Sequence, residues 1–204
     1  MAGNDNSAAS EVSGRERTVE ALVGAAVRLF GERGPNRVSL REVAAEAGVN
    51  YGLIHQYVGT KDDLLALAMR SISARTAERF AEDVDPAAAM ARLVPDGPEA
   101  SSYIRMLAWA LLEGRDPGQL LGRSPALHEL AASLHRARAR QSSTDDDATD
   151  IDDRVQVAAA VSLALGWNLF GTFVRSAAGL DELTPAEAAA RIREVATRII
   201  SGDA

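Results

Sequence analysis

The sequence contains no cysteine, so disulfides, zinc–thiolate centres and thiol nucleophiles are excluded. Lysine is nearly absent: Lys61 is the single example among 22 basic residues, an arginine bias that reads as compositional habit and not as a function. No period-two alternation runs long enough for a strand. There is no glycine-rich phosphate loop, nucleophile elbow or paired-carboxylate motif. His128 and His135 stand about 10 Å apart along a helix, too far to share a metal ion. The acidic run 145–153 lacks the mid-loop glycine and terminal glutamate of a calcium loop and reads as solvated charge. These absences argue against an enzyme and against a resident metal or cofactor. Residues 1–14 are small and polar without the apolar core of a signal peptide, so a disordered tail and a cytoplasmic protein are expected.

What is present is ordinary in bulk and uneven in detail. Apolar residues make up 47% and charged residues 25% of 204, a soluble globular composition. The net charge is −7, yet residues 15–75 hold nine Lys/Arg against seven Asp/Glu. An acidic chain can still bind nucleic acid when its basic residues gather locally, because charges are screened beyond about 8 Å in physiological salt. Between Arg154 and Arg175 lie twenty residues without a charge, about the length of a membrane span. Gln156, Ser162, Asn168, Thr172 and two glycines interrupt it, and a buried helix without membrane contact is the preferred expectation.

The periodicity is helical throughout. Val19, Leu22, Val23, Ala26, Leu29 and Phe30 share one face over 18–33 before Gly34-Pro35 ends the segment. Ser39-Leu-Arg-Glu42 is a capping box opening a short helix. Gly48 stops it, Asn50 can cap the next, over 51–57, and Thr60-Lys-Asp-Asp63 opens a long helix to about residue 83. Three short helices joined this tightly are the pattern of a helix-turn-helix. Further helices are expected within 83–98, over 101–113 (apolar nearly all round, hence buried), over 125–140 and 155–174, and after Thr184-Pro-Ala-Glu187. The acidic stretch 141–153 is expected to be a solvated loop. The fold class is all-α.

Residues 44–65, AAEAGVNYGLIHQYVGTKDDLL, resemble the DNA-binding signature of the TetR family of bacterial regulators. Ala44, Gly48, Val49, Gly52, Ile54, Tyr57, Lys61, Leu64 and Leu65 fall in register, and the likeness covers about 18–66. It implies a DNA-binding domain over 15–66, a long connecting helix, and a ligand-binding and dimerisation domain over 67–204. It further implies a homodimer on a palindromic double-stranded operator and an unidentified small-molecule effector whose binding releases the DNA. A constitutive binder or an activator of the same fold is the alternative. The expected DNA-contacting residues are Ser39, Asn50, Tyr51, Gly52, Leu53, His55, Gln56, Tyr57, Thr60 and Lys61. Gln56 suits adenine and Leu53 a thymine methyl, while Ser39, Tyr57, Thr60 and Lys61 suit phosphates. The plainer readings are partial core for Leu53 and solvated side chains for Gln56 and Lys61. Two positions depart from the family pattern: His55, where tyrosine is usual, and Tyr51, where small, basic or polar residues are common.

For the regulatory half, the resemblance implies a pocket between the middle helices. Its candidate lining is Met106, Trp109, Leu112, Trp167, Phe170 and Phe173, with plain core as the alternative. The last two helices are implied as the dimer interface. Ala188, Ile192, Val195 and Ile199 step by four, three and four, a heptad-like seam that would serve a dimer or an intramolecular core.

Overall fold

The computed structural model describes residues 5–82, 85, 88, 98–141 and 149–201. In chain order the helices are α1 (Asp5–Arg33), a 3-10 turn (Pro35–Arg37), α2 (Leu40–Glu46), α3 (Gly52–Tyr57), α4 (Lys61–Glu82), α5 (Pro98–Leu112), α6 (Pro117–Leu120), α7 (Pro125–Gln141), α8 (Thr149–Ala177) and α9 (Pro185–Ser201). No strand occurs among the described residues. Contacts divide the chain into two compact units, Met1–Ile72 with Arg105–Gly122, and Ser73–Ile104 with Arg123–Ala204.

In the first unit α1 packs on the 3-10 turn, α2 and α3. The apolar face read from the sequence is the one that is buried: Leu22, Val23, Ala26 and Phe30 on α1, Val38, Val43 and Ile54 beyond it, and Leu64 and Leu65 on α4. Helix α1 starts at Asp5, inside the expected tail, because Ala8, Ala9, Glu11, Arg15 and Glu16 are acceptable helix formers that continue the turn upstream. Residues 1–4 of that tail lie outside the described residues.

The expected boundary at residue 66 put 105–122 in the second domain, but this segment packs on the first unit. Arg105 Nε donates to the Gly31 carbonyl at 3.1 Å. Gly34, at φ 81° and ψ 148°, occupies backbone space that only glycine adopts comfortably. A Cβ there would sit 3.1 Å from the Trp109 ring, so the missing side chain is what admits the indole. Arg115 donates to Asp62 at 3.1 Å, to Asn36 at 3.0 Å and to Glu113, and Glu113 also accepts from the Asn36 amide at 3.3 Å. Helix α5 is therefore apolar for more than one reason. Met106 and Ala110 are buried, whereas Leu111 and Leu112 are exposed, Leu112 at 81%. That corrects the expectation of burial all round.

In the second unit α8 packs on α7 and α9. Its core joins Phe80 of α4 to Leu130 and Leu134 of α7, Val157, Ala160 and Ala164 of α8, and Ala196 and Ile200 of α9. Part of the expected helix within 83–98, and residues 142–148 of the expected loop, lie outside the described residues. The end of the acidic stretch is helix and not loop, since α8 already starts at Thr149; Ile151 and Asp152 are exposed, but Asp153 is not. Asp153 is fully buried there, accepting from His135 Nδ1 at 3.1 Å and from Arg138. Arg138 also bonds Gln156. A buried carboxylate needs such partners. They come from α7, which the local sequence could not reveal.

Helix α8 includes a 27-residue segment, Ile151–Ala177, whose most apolar 18-residue window has a mean hydropathy of 1.7, long and apolar enough to cross a membrane, but only 28% of that window is buried within the chain. The expected burial is thus confined to one face. The other exposes Ile151, Val155, Leu169, Phe170, Phe173 and Val174.

Candidate nucleic-acid interface

The approach to α3 is built from capped turns. Ser39 and Glu42 form a reciprocal capping box: the Glu42 amide donates to Ser39 Oγ at 3.2 Å, and Glu42 Oε2 accepts from the Ser39 amide and hydroxyl, each at 2.8 Å. These bonds, with Arg33 at 2.8 Å, hold the Glu42 carboxyl down at about 2 from its usual 4.5. Helix α2 ends at Gly48, whose φ of 67° suits the tight turn into α3. Asn50 Oδ1 then accepts from the Gly52 amide at 2.8 Å, so the bond expected of Asn50 is present, although Tyr51 holds the N-cap position of α3.

The next turn repeats the device with an aspartate. Thr60 donates from its amide at 2.9 Å and its hydroxyl at 2.7 Å to Asp63 Oδ2, and the Asp63 amide returns a bond to Thr60 Oγ1 at 3.1 Å. Those bonds lower the Asp63 carboxyl below its ordinary value, the hydroxyl contributing most. Lys61 Nζ donates to the Val38 carbonyl at 3.3 Å, tying the start of α4 to the entrance of α2. Ion pairs Arg28–Glu46 at 2.9 Å and Arg33–Glu42 at 2.8 Å join α1 to α2. Being exposed, they orient more than they stabilise.

Held in this way, α3 buries Ile54 and exposes Tyr51, Gly52, His55 and Gln56 together. Leu53 and Tyr57 are half-buried, so Leu53 belongs partly to the core. Ser39 and Thr60 are exposed, but their hydroxyls are engaged in the caps, and Lys61 is tethered to a carbonyl instead of merely solvated. These three therefore hold the helices in place in addition to any phosphate contact. Tyr51 and His55, the two departures from the family pattern, touch each other: the phenol oxygen lies 3.0 Å from His55 Nε2, and the rings meet edge-on at 5.2 Å. Sequence reasoning missed Arg41 and Arg15, whose guanidinium groups sit over the Tyr51 and Tyr57 rings at 5.4 and 5.6 Å. Arg41 lies inside the capping box itself, a signal that was available.

The candidate effector residues are divided between the two units. Met106, Trp109 and Leu112 belong to the first unit and Trp167, Phe170 and Phe173 to the second. Met106 is buried, Trp109 packs on Gly34, Leu112 is exposed, and Trp167 lies against Gly171 of its own helix. Phe170 and Phe173 are 59% and 72% exposed on the uncovered face of α8. A stripe of aromatic residues at helical spacing does not reveal which side of the helix the fold covers. A separate groove of about 270 Å³ lies between α7 and α8, with Leu127, Ala131 and Val157 beside Arg123, His128 and Arg154.

Comparison with known proteins agrees with this geometry. Residues 22–68 match the family model of bacterial regulatory proteins, tetR family. The HTH-type transcriptional repressor Rv3405c of Mycobacterium tuberculosis is 36% identical over 188 residues, covering 92% of each chain. This chain belongs to the TetR family. An HTH-type transcriptional regulator of Mycobacterium bovis, Mb3439c, shows the same identity and coverage. Among solved structures, a putative TetR-family regulator from Rhodococcus sp. shares the fold at a TM-score of 0.64 and 17% identity, covering 91% of this chain and 99% of the other. The chain is a TetR-family DNA-binding transcriptional regulator and not an enzyme. Regulators of this family bind operator DNA and act as dimers.

Proposed function

We propose that this TetR-family chain is a cytoplasmic homodimeric repressor that reads a palindromic operator through α3 and is released by a small apolar or amphipathic effector. The observation that carries the reading is the exposed Tyr51, Gly52, His55 and Gln56 surface on and beside a short helix flanked by the capping boxes that open α2 and α4. Gln56 and His55 supply hydrogen-bonding edges for bases, and Gly52 lets the backbone approach the groove. A module this small makes few base contacts, so two copies are needed, with half-sites about 34–36 Å apart or a longer helical multiple. The second copy is read onto the exposed apolar face of α8 together with Val195 of α9, a stripe too large to leave in water. Gly166, with open space around it, allows close approach there. Of the implied seam, Ala188 is buried and Ile192 and Ile199 are half-buried, so those residues serve the intramolecular core as well.

The groove between α7 and α8, apolar inside and cationic at its rim, is read as the place for the effector. The test is selection from random double-stranded DNA by the purified protein, followed by sequencing. A two-fold symmetric site supports a dimeric sequence-specific repressor, and no enrichment at low salt sinks it. The Mycobacterium tuberculosis relative carries the word repressor in its name, which favours repression over activation.

A further inference from the structure

Three exposed side chains, from α2 and from the entrance and body of α3, form one connected cluster on the face proposed to meet DNA. Tyr51, at the entrance of α3, is its centre. Its ring faces the Arg41 guanidinium of α2 at 5.4 Å. Its hydroxyl lies 3.0 Å from His55 Nε2 one helical turn on, with the rings edge-on at 89°. All three residues are exposed. Burial therefore does not explain the arrangement.

Several neighbouring cations are already held by oxygen acceptors, whereas, among the described residues, Arg41, like Arg15 and Arg37, is not. Arg28 and Arg33 are paired with Glu46 and Glu42, Arg115 with Asp62 and Glu113, and Lys61 donates to the Val38 carbonyl. Among the described residues no carboxylate or carbonyl is given to Arg41. A cation over an aromatic ring engages the ring face by electrostatics and leaves the N–H fork for a planar acceptor. The fork matches O6 and N7 of guanine in the major groove. His55 is limited in the complementary way. With Nε2 bonded to the phenol, the ring can meet a base only through Nδ1 and its carbon edge. When the phenol donates, Nδ1 carries the proton and becomes a donor.

We propose that Arg41, Tyr51 and His55 form one base-reading unit, in which Tyr51 is the positioning residue, Arg41 reads a guanine and His55 reads an acceptor at a neighbouring base pair. The inference rests on the proposed role of α3 in DNA reading and deepens it. Specificity at the two base pairs is then coupled, because a single side chain orients both readers. The ring and the hydroxyl have separable duties, the ring serving Arg41 and the hydroxyl serving His55.

The experiment is random-DNA selection with the wild-type protein and with Tyr51→Phe, Tyr51→Leu and Arg41→Lys, alongside thermal melting and imidazole nitrogen NMR of each free protein. Tyr51→Phe keeps the ring and loses the hydroxyl. The expected result is about a tenfold loss of base preference at the His55 position, with the guanine preference retained. Tyr51→Leu should relax both positions. Arg41→Lys keeps the charge but loses the fork, and should remove the guanine preference alone. Melting temperatures should stay at the wild-type value, because the three side chains are exposed, and the His55 nitrogen signals should move in Tyr51→Phe. A wild-type site that Tyr51→Phe selects unchanged overturns the unit while leaving the proposed function standing. Uniform weakening on all sequences by Arg41→Lys or Tyr51→Leu overturns it in favour of phosphate anchoring. No site selected by the wild-type protein overturns the proposed function and base reading by this unit together, and the NMR signals then report only whether the Tyr51–His55 bond exists.

Discussion

The two units solve the same problem, how to hold helices in place, by different means. In the first, each of the short helices α2 and α3 and the start of α4 is stopped or started by a named side chain: Ser39 with Glu42, Asn50, and Thr60 with Asp63. The second has a capping box at Thr184 and Glu187, but its long helices are held chiefly by apolar packing among Phe80, Leu130, Val157 and Ile200. The consequence is a difference in what each leaves outside. The first unit ends with a polar, donor-rich face on α3. The second ends with an apolar face on α8 that its own chain does not cover. Local hydrogen bonding fixes a site for a polar partner, and incomplete apolar packing marks a surface for an apolar one.

The comparison breaks most visibly if the α8 face is altered. Phe170→Asp combined with Phe173→Asp should weaken self-association about a thousandfold, at about 2 kcal/mol for each aromatic anchor. Sedimentation should then find monomers with unchanged helix content. Unaltered association would show that the apolar face has another use. Gly34→Ala tests the first unit. It places a Cβ 3.1 Å from the Trp109 ring on a backbone at φ 81°. A loss of about 3 kcal/mol is expected from strain and overpacking, read by urea unfolding.

Asp153→Ala addresses a buried polar lock of the second unit. It removes a fully buried carboxylate from His135 and Arg138. Because Arg138 is partly exposed and can rehydrate, about 2 kcal/mol is expected rather than the larger cost of a fully buried pair, with unfolding confined to the second unit in hydrogen exchange.

The smallest effect is an acid titration. Glu42, Asp63 and Glu187 all have lowered carboxyl values because they accept capping bonds. Their contribution to stability is complete above the unfolded-state values of 4.5 and 3.8. It is lost as the pH falls, for Glu42 down to about 2. Melting followed by circular dichroism should decline over that window. Ser39→Ala and Thr60→Ala together should flatten the decline, and an unchanged decline would assign acid sensitivity to other groups.

Most helix limits were legible because caps and breakers act within a few residues. Ser39-Leu-Arg-Glu42 and Thr184-Pro-Ala-Glu187 state their bonds in their spacing, and Gly48 its turn. The candidate DNA-facing residues His55 and Gln56 could be placed for the same reason, since a six-residue helix with Ile54 inward leaves few alternatives. The exposure of the candidate effector residues was not legible. Spacing placed Met106, Trp109, Phe170 and Phe173 on helices without saying which side of each helix the fold would cover.

The amino-acid sequence by itself determined the all-α class, the capped turns and the helix-turn-helix, because those depend on interactions a few residues long. Tertiary structure alone decided that Trp109 and Arg115 pack against a turn about 75 residues earlier, and that Asp153 is buried beneath Arg138. It also decided that Arg41, Tyr51 and His55 meet, and that one face of α8 stays open. Each is a relation between segments that periodicity treats separately, and the packing of helices past one another is what brings them together.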